Sequence, residues 1–351
     1  MSQKLLDSPP ATSGVAARPA PAAGRTSAGS SAAAALAPCV AALVALAVHR
    51  FLPDSPAQPS SWIDDVSPWL RPYPLILQGL LAGSLLIAGL QSVWPSLRSA
   101  VEHYGPLTAG AVAVTAVWDV TTLKMAWFPM PYFPGPDLVL GSMISDRGIL
   151  LDSTYRSLRL LLSGYVLGVT AGLVSGMLMG WFRRVRYWGM PVLKVLGPIP
   201  ATAFVPLAMV LFSNSFLAGA ALIGLAVWFP VTMLTTSGIA NVPASYFDVA
   251  RTLGAGRAYL IFRVALPAAL PSVFIGLFMG LGASFLTLIV AETVGVRSGL
   301  GWYLKWQQGY AEYANVYAAL VIMAVFFSSL MTLLFKLRDW VLGWQKGLIR
   351  W

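Results

Sequence analysis

The chain has 351 residues, of which 57% are hydrophobic and only 10% charged, and its mean hydropathy is +0.72. A soluble domain carries about 25% charged residues, so this composition excludes an ordinary soluble protein and describes an integral membrane one. The net charge of +10 comes from Lys and Arg spread between apolar runs, which argues against nucleic acid, and the single cysteine, Cys39, excludes an internal disulfide or a cysteine metal cluster.

Residues 1–30 are rich in Ala, Pro, Ser and Gly and show no apolar periodicity. They read as a disordered cytoplasmic tail, not a cleaved signal, because no clear cleavage site precedes a polar domain. A bilayer core of ~30 Å needs about 20 apolar residues per helix. On that measure spans fall at 32–52, 74–95, 107–128, 157–181, 191–212, 216–238, 269–294 and 314–336, prolines interrupting the fifth and sixth. The loops 53–73 and 129–153, with Trp62, Trp69, Trp127 and Tyr132, read as outer interfaces. His49 and His103 lie far apart near span ends, which favours interfacial placement over a zinc site.

Three basic clusters set the orientation. Arg183, Arg184 and Arg186 follow the fourth span, Arg251, Arg257 and Arg263 the sixth, and Lys336, Arg338, Lys346 and Arg350 the eighth. An even span count with both termini cytoplasmic puts all three inside, together with the loops 182–190 and 239–268. Arg156, Arg159, Arg297 and Lys305 fall outside, where they snorkel or face a docking protein.

Ionisable residues within spans cost about 2.5–3.5 kcal/mol each at a helix centre, so each needs a reason. Asp119 and Lys124 share the third span at a separation unsuited to a helical pair, so Asp119 is expected to find its partner on another helix. Gly164, Gly168, Gly172, Gly176 and Gly180 recur every fourth residue and predict close helix packing. The segment from Gly197 to Pro206, with Pro198, Pro200, Thr202 and Phe204, cannot be a regular helix. Irregular backbone at membrane depth is tolerated where it is buried in protein or lines a cavity. The segment, with Asn214 beyond it, is therefore either a pathway lining or a kinked packing helix. Glu292, near the outer end of the seventh span, belongs with these pathway candidates, or makes a structural hydrogen bond, a gate contact or a proton-coupling site.

Between the sixth and seventh spans lies a polar, basic island: Asp248-Val-Ala-Arg-Thr-Leu-Gly254, a gap of nine residues, then Val264-Ala-Leu-Pro267. Tyr246, Phe247, Val249, Ala250 and Leu253 have helical spacing, and Gly254 and Gly256 supply the stop, Gly254 at a positive-φ turn. A helix that carries an apolar face outside lipid is expected to dock on a soluble partner.

This spacing resembles the cytoplasmic signature loop of ATP-binding-cassette importer permeases: Glu-Ala-Ala, three residues, Gly, nine residues, Ile-x-Leu-Pro. Asp248 stands for the Glu, Val249 and Ala250 for the two Ala, Gly254 for the Gly, and Val264, Leu266 and Pro267 complete it. From about residue 107 to 345 the chain looks like a six-span permease of the nitrate, sulfonate, taurine and bicarbonate group. The landmarks are Phe133-Pro-Gly-Pro136, Ser157–Gly164, Gly197-Pro-Ile-Pro200 with Pro206, Ala291-Glu-Thr-Val-Gly295 with Gly299-Leu-Gly301, and Trp344-Gln-Lys-Gly347.

The resemblance implies an all-α polytopic membrane protein, a six-span type I importer permease core with about eight spans in all. Two extra N-terminal spans would occupy 31–105, the core 106–345 with its coupling loop at 239–268, and a short cytoplasmic tail 346–351. It implies a multi-pass permease of a bacterial inner membrane, passing a small anionic or zwitterionic solute (nitrate, bicarbonate, taurine or a sulfonate) from an extracytoplasmic solute-binding protein into the cytoplasm. The expected partners are the lipid bilayer, a second permease copy and a dimer of ABC ATPase subunits. No Gly-Lys dipeptide occurs, so a phosphate-cradling loop is absent and ATP and Mg belong to the partner ATPase. Tyr246, Phe247 and Ala250 would anchor that ATPase and Arg251 and Arg257 would meet its acids. No catalytic triad, Cys-His pair or paired carboxylates suggest an enzyme. An ion-gradient-driven secondary transporter would account for the spans and their acids, but leaves the island without a purpose.

Overall fold

The computed structural model describes residues 28–55, 71–91, 95–128 and 130–344. The tail through residue 27, Trp62 and Trp69 of the first outer loop, the last residues of the Trp344–Gly347 landmark and the tail 346–351 lie outside the described residues. Among those described, every regular element is helical.

The first three helices are α1 (Ala28–Phe51), α2 (Pro72–Leu90) and α3 (Pro95–Asp119), the last continuing as a π-helical turn, Val120–Lys124. After α4 (Pro136–Ser145) come α5 (Arg147–Trp181), α6 (Arg183–Leu196), a 3-10 turn (Ala201–Phe204), α7 (Val205–Leu211) and α8 (Ser215–Ala240). The island supplies α9 (Ala244–Thr252), α10 (Arg257–Tyr259) and a π-helical turn (Leu260–Ala265). Then follow α11 (Leu266–Val294), α12 (Leu300–Gly309) and α13 (Tyr313–Val341).

Six of the described helical stretches are long and apolar enough to cross a bilayer: Pro72–Leu90, Leu97–Lys124, Arg147–Trp181, Ser215–Ala240, Arg257–Val294 and Tyr313–Val341. The count reaches seven with the pair Arg183–Leu196 and Ala201–Leu211, which is bent by 85°. Among the described residues the first expected span, 32–52, is represented by the apolar stretch Leu36–Phe51 of α1, so the eighth of the expected spans is not counted there. The third span also starts earlier than residue 107: α3 runs straight through Pro106, which membrane helices tolerate where neighbours satisfy the freed backbone groups.

By packing, the described residues divide into two compact units, those up to residue 47 with those of 77–114, and those of 48–76 with those from 115 on. In the first, Cys39 Sγ donates to Ser84 Oγ at 3.2 Å, joining α1 to α2. The second is organised around α5 and α8. A Cβ at Gly164, Gly168, Gly172, Gly176 or Gly180 would lie 2.5–2.8 Å from α8, against Ile223, Gly224 and Val227, Val231, Thr235 and Ile239 in turn. The ladder expected from sequence is therefore a helix seam. Position numbers rise together on both sides, so the two helices run parallel.

Parallel neighbours require a return crossing between them, and α6 and α7 provide it. A Cβ at Gly197 would overlap the Phe229 ring midway along α8. Val205 and Ala208 then pack on Ala218 and Leu222 near its start. The expected fifth span, 191–212, is accordingly no single helix: Pro198 and Pro200 break it. The expected loop 182–190 is mostly α6, whose Arg186 donates from Nε to Met179 O at 2.9 Å and from a terminal nitrogen to Gly180 O at 2.8 Å, closing the end of α5. Antiparallel α11 packs on α8 through Gly238, Gly276 and Gly280, and α13 on α11 through the ring pairs Phe285–Phe327 and Phe278–Phe335.

Asp119 finds its partner on another helix, as expected: His49 Nδ1 lies 2.9 Å from Asp119 Oδ2. The other ring nitrogen of His49 faces Asp137 Oδ2 at 3.6 Å. His49 is thus held between two carboxylates. Asp137 also accepts from Tyr73 N at 2.9 Å. Burial lifts the Asp137 carboxyl above its ordinary range, although the Tyr73 N–H and His49 pull it down. Lys124 donates to His49 O at 2.7 Å and pairs with Asp54.

Candidate functional site

The basic island folds as its sequence dictates. Pro243 opens α9 and Gly254 closes it with φ +82°. Gly254 N donates to Arg251 O at 2.9 Å and Ala255 N to Ala250 O at 3.0 Å, the paired bonds of a Schellman cap. Nothing lies within 4 Å of a Cβ added at Gly254, so a side chain there costs only backbone strain, about 1–2 kcal/mol for a left-handed residue and most for a β-branched one. Gly254→Val is expected to fray the end of α9 and speed tryptic cleavage after Arg251 and Arg257 in nanodiscs, at unchanged membrane abundance. Gly254→Asn should cleave near the parental rate, and equal rates for all three proteins would contradict the cap.

The face that α9 offers to solvent differs from the expected one. Tyr246, Val249 and Leu253 are 56%, 62% and 83% exposed and form a stripe at i, i+3 and i+7, with exposed Tyr259 and Phe262 beyond the turn. Phe247, expected as an anchor for a partner, turns inward: its ring meets Trp181 edge-on at 5.7 Å and packs with Ile239, Ala265 and Ala269. Ala250 is half-buried and its carbonyl serves the cap. Arg251, expected to meet a partner's acid, pairs with Asp248 in its own helix at 3.0 Å, both side chains exposed. Arg257 is exposed, whereas Leu266 and Pro267 are half-buried in the first turn of α11. Val249 and Leu253 carry the apolar spacing, but sequence alone does not say which side of the helix faces out.

A second candidate region surrounds the bent pair. A cavity of about 320 Å³ is lined by Pro200 and Thr202 on one side and by Trp228, Pro230, Met279 and Thr287 on the other. Trp228 Nε1 donates to Ser175 Oγ at 3.0 Å, and Ser175 Oγ lies 2.8 Å from Thr232 Oγ1. No charged side chain lines the cavity among the described residues. The other pathway candidates are elsewhere. Pro198 is exposed on the turn and outside the lining. Phe204 packs on Val205, Ala208, Ala218 and Leu222. Asn214 caps α8, its side chain accepting from Phe216 N at 2.8 Å. Trp228, Met279 and Thr287 escaped sequence reasoning because α8 and α11 bring them in from distant positions.

Glu292 is likewise absent from the cavity. It is 2% exposed, and both its oxygens are engaged: Oε1 accepts from Ser157 Oγ at 2.7 Å and Oε2 from Gly301 N at 2.8 Å. Ser157 Oγ in turn accepts from Leu300 N at 2.8 Å. Gly299, with φ +99°, turns the chain here, and a Cβ on it would strike the carboxylate. The carboxylate thus sits at the amino end of α12, where free N–H groups favour negative charge, and fastens that helix to α5 and α11.

Comparison with known proteins bears on the same elements. Residues 164–342, which include the glycine ladder, the island and Glu292 itself, match the family model of the binding-protein-dependent transport system inner membrane component. The chain is 32% identical over 247 residues to a provisionally named aliphatic sulfonates transport permease protein of Bacillus subtilis, covering 70% of this chain and 81% of that one. It is 30% identical over 239 residues to the taurine transport system permease protein of Escherichia coli, covering 66% and 85%. To the bicarbonate transport system permease protein of Synechococcus elongatus it is 29% identical over 251 residues, covering 67% and 87%.

Proposed function

The chain belongs to the family of binding-protein-dependent transport inner-membrane components, and from that premise we propose that it is the permease subunit of an ATP-driven importer in a bacterial inner membrane. In this reading two copies form the membrane part, an ABC ATPase dimer binds beneath, and a solute-binding protein delivers the solute from outside. The solute is a small anion or zwitterion of the sulfonate, taurine, nitrate or bicarbonate class. The names of the relatives support sulfonate, taurine and bicarbonate without choosing among them. Both termini are placed in the cytoplasm with the island on the same side, which takes α1 as an eighth span; the basic clusters support that side.

One observation carries the reading: the stripe Tyr246, Val249 and Leu253 lies exposed on a helix outside the spans, flanked by Arg257, and is left uncovered among the described residues. Such a face suits the groove of a soluble protein. Because the chain has no phosphate-cradling loop, that protein supplies ATP and Mg chemistry. Closure of the ATPase pair would then push on α9 and, through it, on the ends of α5, α8 and α11. The cavity beside the bent pair is the candidate wall of the pathway. Without a charged lining it gives little charge-based selection among anions, which leaves selectivity with the solute-binding protein. An ion-gradient transporter fits less well, since the acids Asp119 and Glu292 are both engaged in structural contacts.

The test is the double substitution Val249→Glu with Leu253→Glu. Each side chain buried at an interface is worth roughly 1.5–3 kcal/mol, so losing two weakens binding by about a hundredfold or more. Membrane abundance is expected to stay normal, while ATPase co-purification and ATP-driven uptake of the transported solute in proteoliposomes are lost. Uptake driven by an ion gradient with no second soluble chain would overturn the importer reading.

A further inference from the structure

Phe247 and Trp181 form a contact that the importer reading leaves without a role. On α9 the exposed stripe looks away from the membrane helices, and Phe247 is the aromatic side chain that looks back. Its ring stands edge-on to Trp181, the last residue of α5, at 5.7 Å with planes at 69°. The surrounding cluster takes Ile239 from the end of α8, Ala265 from the π-helical turn, Ala269 from the start of α11, and Met177 from α5. The ring therefore shares one apolar cluster with the ends of three helices. The covalent route is looser, since α9 joins α8 through the turn Asn241–Pro243 and reaches α11 through the glycine cap and a π-helical turn. Next to Trp181, Gly180 packs directly on Ile239, so displacement of Trp181 is passed into the close-packed α5–α8 seam. Interiors of that density transmit strain where a flexible linker absorbs it.

We propose that the Phe247–Trp181 pair is the element that transmits motion of α9 into the membrane helices, and that it takes no part in holding the ATPase. The proposal rests on the importer reading above and assigns Phe247 a positioning role distinct from the docking stripe. A residue of this kind has a characteristic phenotype: the partner stays bound and the membrane part stops responding to it.

The experiment uses the full permease with its ATPase, in a Cys39→Ser background with Thr202→Cys as a reporter in the cavity wall. Two quantities are read, the ATPase that co-purifies and the change in maleimide labelling of position 202 when ATP and vanadate are added. Phe247→Ala is expected to keep parental co-purification and to lose the ATP-dependent change in labelling. Trp181→Leu, whose site lies outside α9 and leaves the docking stripe intact, should do the same, and Trp181→Phe should retain the response. Co-purification that falls with Phe247→Ala and with Trp181→Leu would make the pair part of the docking structure and overturn the proposal. So would an ATP-dependent change that survives in both. A parent protein that binds no ATPase would overturn the importer reading itself, whereas normal binding with an intact response in the variants defeats the transmission role alone.

Discussion

Leucine at Gly168 is expected to leave little folded protein in the membrane. A Cβ at this position lies 2.5 Å from the Gly224 carbonyl oxygen and 2.7 Å from the Val227 Cβ. Neither atom is the far end of a flexible side chain, so the two helices must move apart. Overpacking a well-filled interior costs typically 1–3 kcal/mol, and here the separation also opens the neighbouring contacts at Gly164 and Gly172, which depend on the same approach. Close packing of small residues drives helix association in lipid, where no hydrophobic effect separates one apolar helix from another. The loss is therefore not offset elsewhere. Gly148 is the internal control: it lies on the same helix with nothing within 4 Å of an added Cβ, and Gly148→Leu should be tolerated. Detergent-extracted protein on a sizing column gives the comparison. A monodisperse peak of parental height for Gly168→Leu would mean that the α5–α8 seam is not what holds the second unit together.

How far such features are visible in sequence depends on whether their cause is local. The glycine ladder is legible because its period of four is itself the geometry of a helix face, and the partner helix need not be known. The cap at Gly254 is legible for the same reason, since a glycine after an amphipathic stretch is a local signal. The orientation of α9 is not. Tyr246, Phe247, Val249, Ala250 and Leu253 place apolar groups on more than one side of a short helix, and only Trp181, far away in the chain, decides that Phe247 faces inward. The basic run at 183–186 misleads because Arg suggests a loop, whereas Arg186 spends its guanidinium on the last carbonyls of α5 and the rest of the stretch is helical. Burial cost marks Asp119 and Glu292 as residues needing partners. It does not name His49 or Ser157, which tertiary packing supplies.

Removing the carboxylate of Glu292 should destabilise the permease more than any other single loss of a polar group argued above. In Glu292→Ala the Ser157 hydroxyl and the Gly301 N–H both lose their acceptor at a buried site, and each buried group left unsatisfied costs about 1–3 kcal/mol. The void left by the side chain adds to this. Glu292→Gln keeps the volume, and with its amide oxygen on the Gly301 N–H its NH2 group faces Ser157 Oγ, which can accept it but then loses the acceptor for its own proton. Its loss should be intermediate. Ser157→Ala removes the group that bridges the carboxylate to Leu300 N, so the double variant with Glu292→Ala should lose less than the sum of the single losses, as members of one network do. Membrane proteins unfold irreversibly in many cases, so the ranking is best read as apparent melting temperatures at one scan rate. The order expected is parent, then Gln, then Ala, with transport falling in step with folded protein. A Glu292→Gln variant that melts like the parent yet does not transport would instead place the carboxyl group in the transport cycle, and the clasp would then be more than a fastening for α12.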